Sequence, residues 1–261
     1  MRADRADQTE FGDFQTPIEL ARDVCSLLKR DRFRPASVLE PTCGRGRFVR
    51  AALEMFPDLS RLLGYDINRA YVEEARAAAT SSYTRAAVEI REGDFFHTNW
   101  TTIVAELPQP ILVLGNPPWV TNAELGTLGS GNLPAKSNTD NLRGIDALTG
   151  SSNFDISEWM LRKNLEWLNQ RSGMLAVLCK TSVARKVLLF AWKNSLSLDS
   201  AAIYRLDANR HFGASVEACL LVVRAEQRYT PPPIGTPCKQ CTTTGGQGNM
   251  TCCSLVSCRV I

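Results

Sequence analysis

A chain of 261 residues, 44% hydrophobic and 22% charged, has room for one large α/β domain or two small ones, with the composition of an ordinary soluble globular protein. Its net charge of +3 is compatible with a nucleic-acid partner without arguing for one. No apolar run has the length of a membrane span, and the opening "MRADRADQTEFGDF" carries no signal-peptide apolar region, so a cytoplasmic location is expected.

The first predicted element is a helix opened by "FQTPIEL", with Thr16 as N-cap, Pro17 as the first helical residue and Glu19 closing a capping box. Strand-like runs then alternate with helical patterns. "SVLE" (37–40), "LLGYD" (62–66), "AVEIR" (87–91), "ILVLG" (111–115) and "MLAVLC" (174–179) read as buried strands, followed by "AAIYRL" (201–206) and "ACLLVV" (218–223). Between them lie the helical stretches "RFVRAALEMF", "NRAYVEEARAAA", "ISEWMLRKNLEWLNQ" and "VARKVLLFAWKNS". Strand alternating with helix implies a mostly parallel sheet covered on both faces. The last two strands are joined by residues 207–217 without a clear helix, too few for a comfortable parallel crossover, so the final strand is expected to be antiparallel. Residues 120–154 are rich in Gly, Ser, Asn and Thr and break the rhythm, as does the tail from Arg228.

"SVLEPTCGRGRFV" is a strand, a glycine-bearing turn and a helix start, in which Gly44 and Gly46 let the backbone approach a ligand at the carboxyl end of the first strand. At the end of the next strand "GYDIN" places Asp66, a carboxylate able to accept both ribose hydroxyls of a nucleoside. A dinucleotide site would want a third glycine where the chain has Val49. The arrangement suits a nucleoside cofactor without phosphates, S-adenosylmethionine. Asp94 in "GDFF" could accept from the adenine amino group, with Phe95 against the ring. A functional reading of "FQTP" sets that helix start over the methionyl end of the cofactor, although the capping box alone explains those residues.

"GNPPWVTN" (115–122) follows the fourth strand and needs two prolines where a turn needs one. Proline fixes φ and holds each preceding residue extended, so the carbonyls point in set directions. The Asn116 side-chain oxygen and the Pro117 carbonyl can then accept both hydrogens of an exocyclic amine and aim its lone pair at a sulfonium methyl. Pro118 stiffens the turn, and Trp119 offers a face to a planar base. The gain is positioning and electrostatics, with no covalent intermediate.

The order "FQTP", "LEPTCGRGRF", "YDIN", "GDFF", "GNPPW" resembles the amino-methylating DNA methyltransferases. It is most similar to the adenine-N6 group, in which cofactor motifs come first, the catalytic tetrapeptide next and the target recognition domain last. The resemblance covers roughly residues 11–225. It implies a Rossmann-like S-adenosylmethionine-dependent methyltransferase fold, with a mostly parallel seven-stranded sheet and an antiparallel last strand. It further implies an enzyme that methylates the N6 amine of a flipped adenine in double-stranded DNA, within a restriction-modification system. Carried over by residue, it implies cofactor contacts at Thr16, Glu40, Gly44, Asp66, Asp94 and Phe95 and base contacts at Asn116, Pro117 and Trp119. "NRHFGASVEACLLVV" resembles the family's late motif, where Phe212 would pack on the base from the other face, although a core phenylalanine fits there almost as well. Tryptophan at 119 is a mild departure from the usual tyrosine or phenylalanine.

Rival readings share the tetrapeptide: glutamine-amide methyltransferases of release factors, and RNA methyltransferases. The former usually carry a helical domain before the cofactor motif, where this chain has the "FQTP" stretch. Cytosine-N4 enzymes usually have serine at the place of Asn116. Cytosine-C5 enzymes need a Pro-Cys after the fourth strand, which this chain has only at Pro237-Cys238. Residues 1–225 are thus read as a catalytic domain and 226–261 as an irregular cysteine-rich tail without a complete target recognition domain. That tail motivates a different reading, a non-catalytic piece of a split methyltransferase. It also motivates a partner subunit for specificity or cleavage. Cys238 and Cys241 form a CxxC that Cys252, Cys253 and Cys258 could complete as a zinc site, but the second half is not a clean CxxC and no metal is expected.

Overall fold

The computed structural model describes residues 14–80, 84–120, 155–226 and 256–260, the last stretch in backbone only. The seven apolar runs become strands β1 (Ser37–Glu40), β2 (Arg61–Asp66), β3 (Ala87–Glu92), β4 (Ile111–Gly115), β5 (Gly173–Lys180), β6 (Leu198–Leu206) and β7 (Ala218–Ala225). Helices α1 (Ile18–Arg30), α2 (Arg47–Met55), α3 (Arg69–Thr80), α4 (Trp100–Ala105), α5 (Ile156–Leu168), α6 (Thr181–Lys193) and the short α7 (Ala208–Phe212) lie between them. The strand order is β3-β2-β1-β4-β5-β7-β6, with β7 antiparallel to both its neighbours and the pairs among β1–β5 parallel. The expected antiparallel last strand of the domain is therefore present.

Alternation along the strands builds two cores. Val38, Leu62, Leu112, Leu114, Met174 and Leu220 point to one face and join α1, α2 and α3 around Phe48 and Leu28. Their neighbours Leu39, Leu63, Ile111, Val113, Leu175 and Leu221 point to the other and meet α4, α5 and α6 around Trp100 and Leu161. Burial on both faces is why these strands read as continuous apolar runs. β1 pairs with both β2 and β4, so the order reverses beside it and a crevice opens at the carboxyl ends of these strands.

Two expectations about the chain's ends change. No side chain caps α1: the helix begins at Ile18 with Pro17 at the cap position, and Thr16 is buried instead of capping. In the tail expected to be irregular, Val256–Val260 form an eighth strand, β8, parallel to β6. Five residues alternating Val, Ser, Cys, Arg and Val carry a strand period too short to stand out of their surroundings. The rest of the tail, with Cys238, Cys241, Cys252 and Cys253, and the stretch 121–154 lie outside the described residues, and so does the side chain of Cys258. Among the described residues no helix is long and apolar enough to cross a membrane.

Candidate active site

The crevice holds a cavity of about 480 Å³, bounded by the segment before α1, the loops after β1, β2, β3 and β4, and the start of α5. That is the size range of small-molecule and cofactor sites. Of the residues singled out from the sequence, Thr16, Glu40, Gly44, Asp66, Asp94, Phe95, Asn116 and Pro118 line it together. They come from five separate stretches of chain that only the fold unites.

The turn after β1 shows why its two glycines differ. Gly44 (φ +48°) faces the cavity, and a Cβ there would meet the Gln15 side chain at 3.1 Å. Gly46 (φ +75°) does not line the cavity; a Cβ on it would lie 2.8 Å from the Ala75 backbone of α3. The expectation of a ligand contact at Gly46 is therefore corrected: it is the packing point that lets α2 and α3 approach. Gly44 N–H donates to Asp66 Oδ2 at 2.8 Å and Asn68 N–H to Oδ1 at 2.9 Å, which fixes the carboxylate at the carboxyl end of β2. Asp94 is fixed likewise, accepting from Phe96 N–H at 2.9 Å and paired with His97.

Glu40 is the most unusual group. It is 2% exposed, and its Oε2 has no hydrogen-bond partner among the described residues. Burial first, and then the charge of Asp66, push its carboxyl well above the usual carboxylate range, against a smaller opposing effect of the Val49 backbone. Cys43 beside it is buried, and burial with the charges of Glu40 and Asp66 pushes its thiol far up, so it is no nucleophile.

After β4, Asn116 presents its amide to the cavity. Its Nδ2 donates to the Phe14 carbonyl at 2.8 Å, and its Oδ1 is buried with no hydrogen-bond partner among the described residues. A buried acceptor left open at the wall of a cavity costs stability unless a ligand meets it.

The aromatic residues differ from expectation. Trp119 does not line the cavity; it is 4% exposed and lies 5.3 Å from Phe14 and 5.2 Å, edge to face, from Phe212. The structure brings Trp119 and Phe212 together, ring against ring in an edge-to-face contact. Phe95 lines the cavity yet is mostly engaged with Trp100, Trp159 and Trp167 in the second core. Pro117 is buried and off the lining. Phe14 and Gln15 of the "FQTP" stretch and Ile67 of "YDIN" are on the cavity wall, whereas Tyr71 and Met160, also on it, were not singled out from the sequence. Ile67, directly after the Asp66 carboxylate, is an apolar residue left 52% exposed beside that turn.

No family model matches the sequence. Over 215 residues, 82% of this chain and 45% of the relative, it is 42% identical to the Type II methyltransferase M.NspV of Nostoc sp. (strain ATCC 29411 / PCC 7524). A shorter stretch of 120 residues, 46% of this chain and 27% of the relative, is 31% identical to the Type II methyltransferase M.CvrRI of Paramecium bursaria Chlorella virus XZ-6E. The chain thus spans less than half the length of either relative. Among solved structures, one from Listeria monocytogenes assigned to the class I S-adenosylmethionine-dependent methyltransferases superimposes with a TM-score of 0.54. It covers 94% of this chain and 65% of its own at 14% identity, a likeness of fold alone. The chain is thus similar over most of its length to part of a Type II methyltransferase, and its fold is the Rossmann-like one of S-adenosylmethionine-dependent methyltransferases.

Proposed function

We propose that this chain carries the catalytic site of a DNA adenine-N6 methyltransferase of a restriction-modification system, acting in the cytoplasm on an adenine flipped out of duplex DNA. The observation that carries the reading is Asn116, on the wall of a cofactor-sized cavity: its amide nitrogen donates to the Phe14 carbonyl, and its buried oxygen has no hydrogen-bond partner among the described residues. Homology to Type II methyltransferases supports the same reaction class.

The residues present fit S-adenosylmethionine. Glu40, Asp66 and Asp94 put three carboxylates on the cavity, suited to a cofactor with an ammonium, a sulfonium and ribose hydroxyls. Asp66, oriented by the N–H groups of Gly44 and Asn68, would accept the ribose hydroxyls. Glu40 would take the ammonium, which supplies the positive charge its burial lacks, and Asp94 the adenine amine. Thr16 and Gly44 would border the methionyl end, and Phe95 the adenine ring. When bound, the cofactor supplies a methyl group activated by positively charged sulfur.

The chain's own residues prepare the amine. Asn116 Oδ1 and the Pro117 carbonyl accept its two hydrogens, which localises the nitrogen lone pair out of ring conjugation and fixes its direction. As the nitrogen gains positive charge, both acceptors bind it more strongly, so they favour the transition state over the ground state. Trp119 and Phe212 must part for the base to stack between them. Pro118 keeps the turn rigid while they do.

Asn116→Ala should lower the methylation rate on the order of a hundredfold or more, with cofactor affinity nearly unchanged. The measurement is mass analysis of N6-methyladenine in duplex DNA incubated with the protein and S-adenosylmethionine. Undiminished methylation by the variant would refute the role of Asn116, and methylated cytosine in place of adenine would refute the substrate.

A further inference from the structure

We propose that Phe14 is a positioning residue for methyl transfer, setting the orientation of the Asn116 amide; this deepens the adenine-amine reading and rests on it. A side-chain amide can sit in two orientations that fill nearly the same space and differ in which end is donor and which acceptor. Only one is useful here. With the NH₂ group turned to the cavity, Asn116 would present donors to an amine whose own hydrogens need acceptors. A backbone carbonyl accepts and never donates, so the Phe14 carbonyl, 2.8 Å from Nδ2, admits only the orientation that keeps Oδ1 as the open end of this cavity-wall amide. It is the only hydrogen-bond partner of that side chain among the described residues.

The carbonyl can select only if it is itself held. Phe14 precedes the first helix, and its ring supplies the anchor, packed 5.3 Å from Trp119 and 6.0 Å, edge-on, from Phe212. The next residue ties the same strap to the cofactor turn, since Gln15 Oε1 accepts from Arg45 N–H at 3.4 Å. Two residues thereby touch the glycine turn, the catalytic turn and the late aromatic together. Gln15 serves the cofactor side and Phe14 the amine side, so removing the Phe14 ring should affect the chemical step more than cofactor binding.

The test uses Phe14→Ala, Phe14→Leu and Phe14→Tyr in the full chain, with two readouts. One is the single-turnover rate of adenine methylation set against the dissociation constant of S-adenosylmethionine. The other is the NMR signal of the Asn116 side-chain amide, identified by its loss in Asn116→Ala. We expect the alanine and leucine variants to lose about tenfold or more in rate while affinity stays within about threefold, because a misoriented group acts on the transition state. The amide signal should move toward that of a free amide, and Phe14→Tyr, which keeps the ring, should restore both. Leucine keeps apolar bulk in the core, so the comparison survives if the alanine variant does not fold. An unmoved amide signal, an unchanged rate, or a rate that falls only in step with affinity overturns the proposal. If the wild-type chain methylates no adenine, the functional reading fails, and the amide signal still decides whether Phe14 holds Asn116.

Discussion

Glu40 and Asn116 each bury a polar oxygen with no hydrogen-bond partner among the described residues, as Glu158 and Asn164 also do, but only Glu40 and Asn116 of these line the cavity. Such atoms reduce the stability of the ligand-free fold, and their place on one cavity suggests that binding recovers the loss. Glu40 makes this measurable through pH. Its folded carboxyl sits above its unfolded value because burial disfavours the charge. The protonated form is thus the one the fold tolerates. Its contribution is fully present below the unfolded value near 4.5 and is lost as pH rises through the raised folded value. Glu40→Gln removes the ionisation and keeps the shape. At pH 8 the variant should melt higher than the wild type when ligand-free, and the gap should close as pH falls toward 4.5. Its affinity for S-adenosylmethionine should fall, since the ammonium loses a carboxylate. Thermal melts across pH and calorimetry decide it; a ligand-free variant no more stable at pH 8 would mean that Glu40 is compensated in a way its surroundings do not show.

The turn between β1 and α2 shows what could be read from the chain and what could not. Its glycines marked a backbone needing special conformations, and both do adopt positive φ. Which one faces a ligand depends on α3, a neighbour that no local pattern reveals: Gly46 is claimed by Ala75 and Gly44 by the cavity. Gly46→Ala should cost about 2–4 kcal/mol, from a left-handed backbone and a Cβ in contact with α3. A urea unfolding midpoint measures it, and a change below about 1 kcal/mol would mean that the two helices part easily. The same logic covers the rest. β1 and β4 ran as their apolar stretches indicated, because strands buried on both faces declare themselves by composition. Asp66, Asp94 and Asn116, each a polar residue just at or past the carboxyl end of a strand, do meet on one cavity wall. Thr16 was misread as a cap, since a capping box and a cavity wall call for the same residue. Trp119 is expected from the sequence to offer a face to a base and Phe212 either to pack on that base or to lie in the core; the two rings meet each other, and the pattern that names an aromatic residue is silent on whether its face is covered.

The molecule as a whole separates a self-sufficient sheet from an added edge. Among the described side chains, both hydrophobic clusters are drawn from residues between Phe14 and Ala225, and the cavity from residues between Phe14 and Met160. β8 meets the sheet only at its margin, pairing with β6, which already has β7 on its other side. Backbone pairing at a margin covers N–H and C=O groups that would otherwise offer a template for another strand. A chain shortened to end at Glu226 should therefore unfold in a single cooperative transition and bind S-adenosylmethionine within about twofold of the full chain. Its cost should appear elsewhere. With the β6 edge bare, the shortened chain should self-associate at concentrations where the full chain stays monomeric, as size-exclusion chromatography with light scattering would show. Loss of cooperative unfolding on shortening would place β8, and the tail that carries it, inside the folding unit of the catalytic domain.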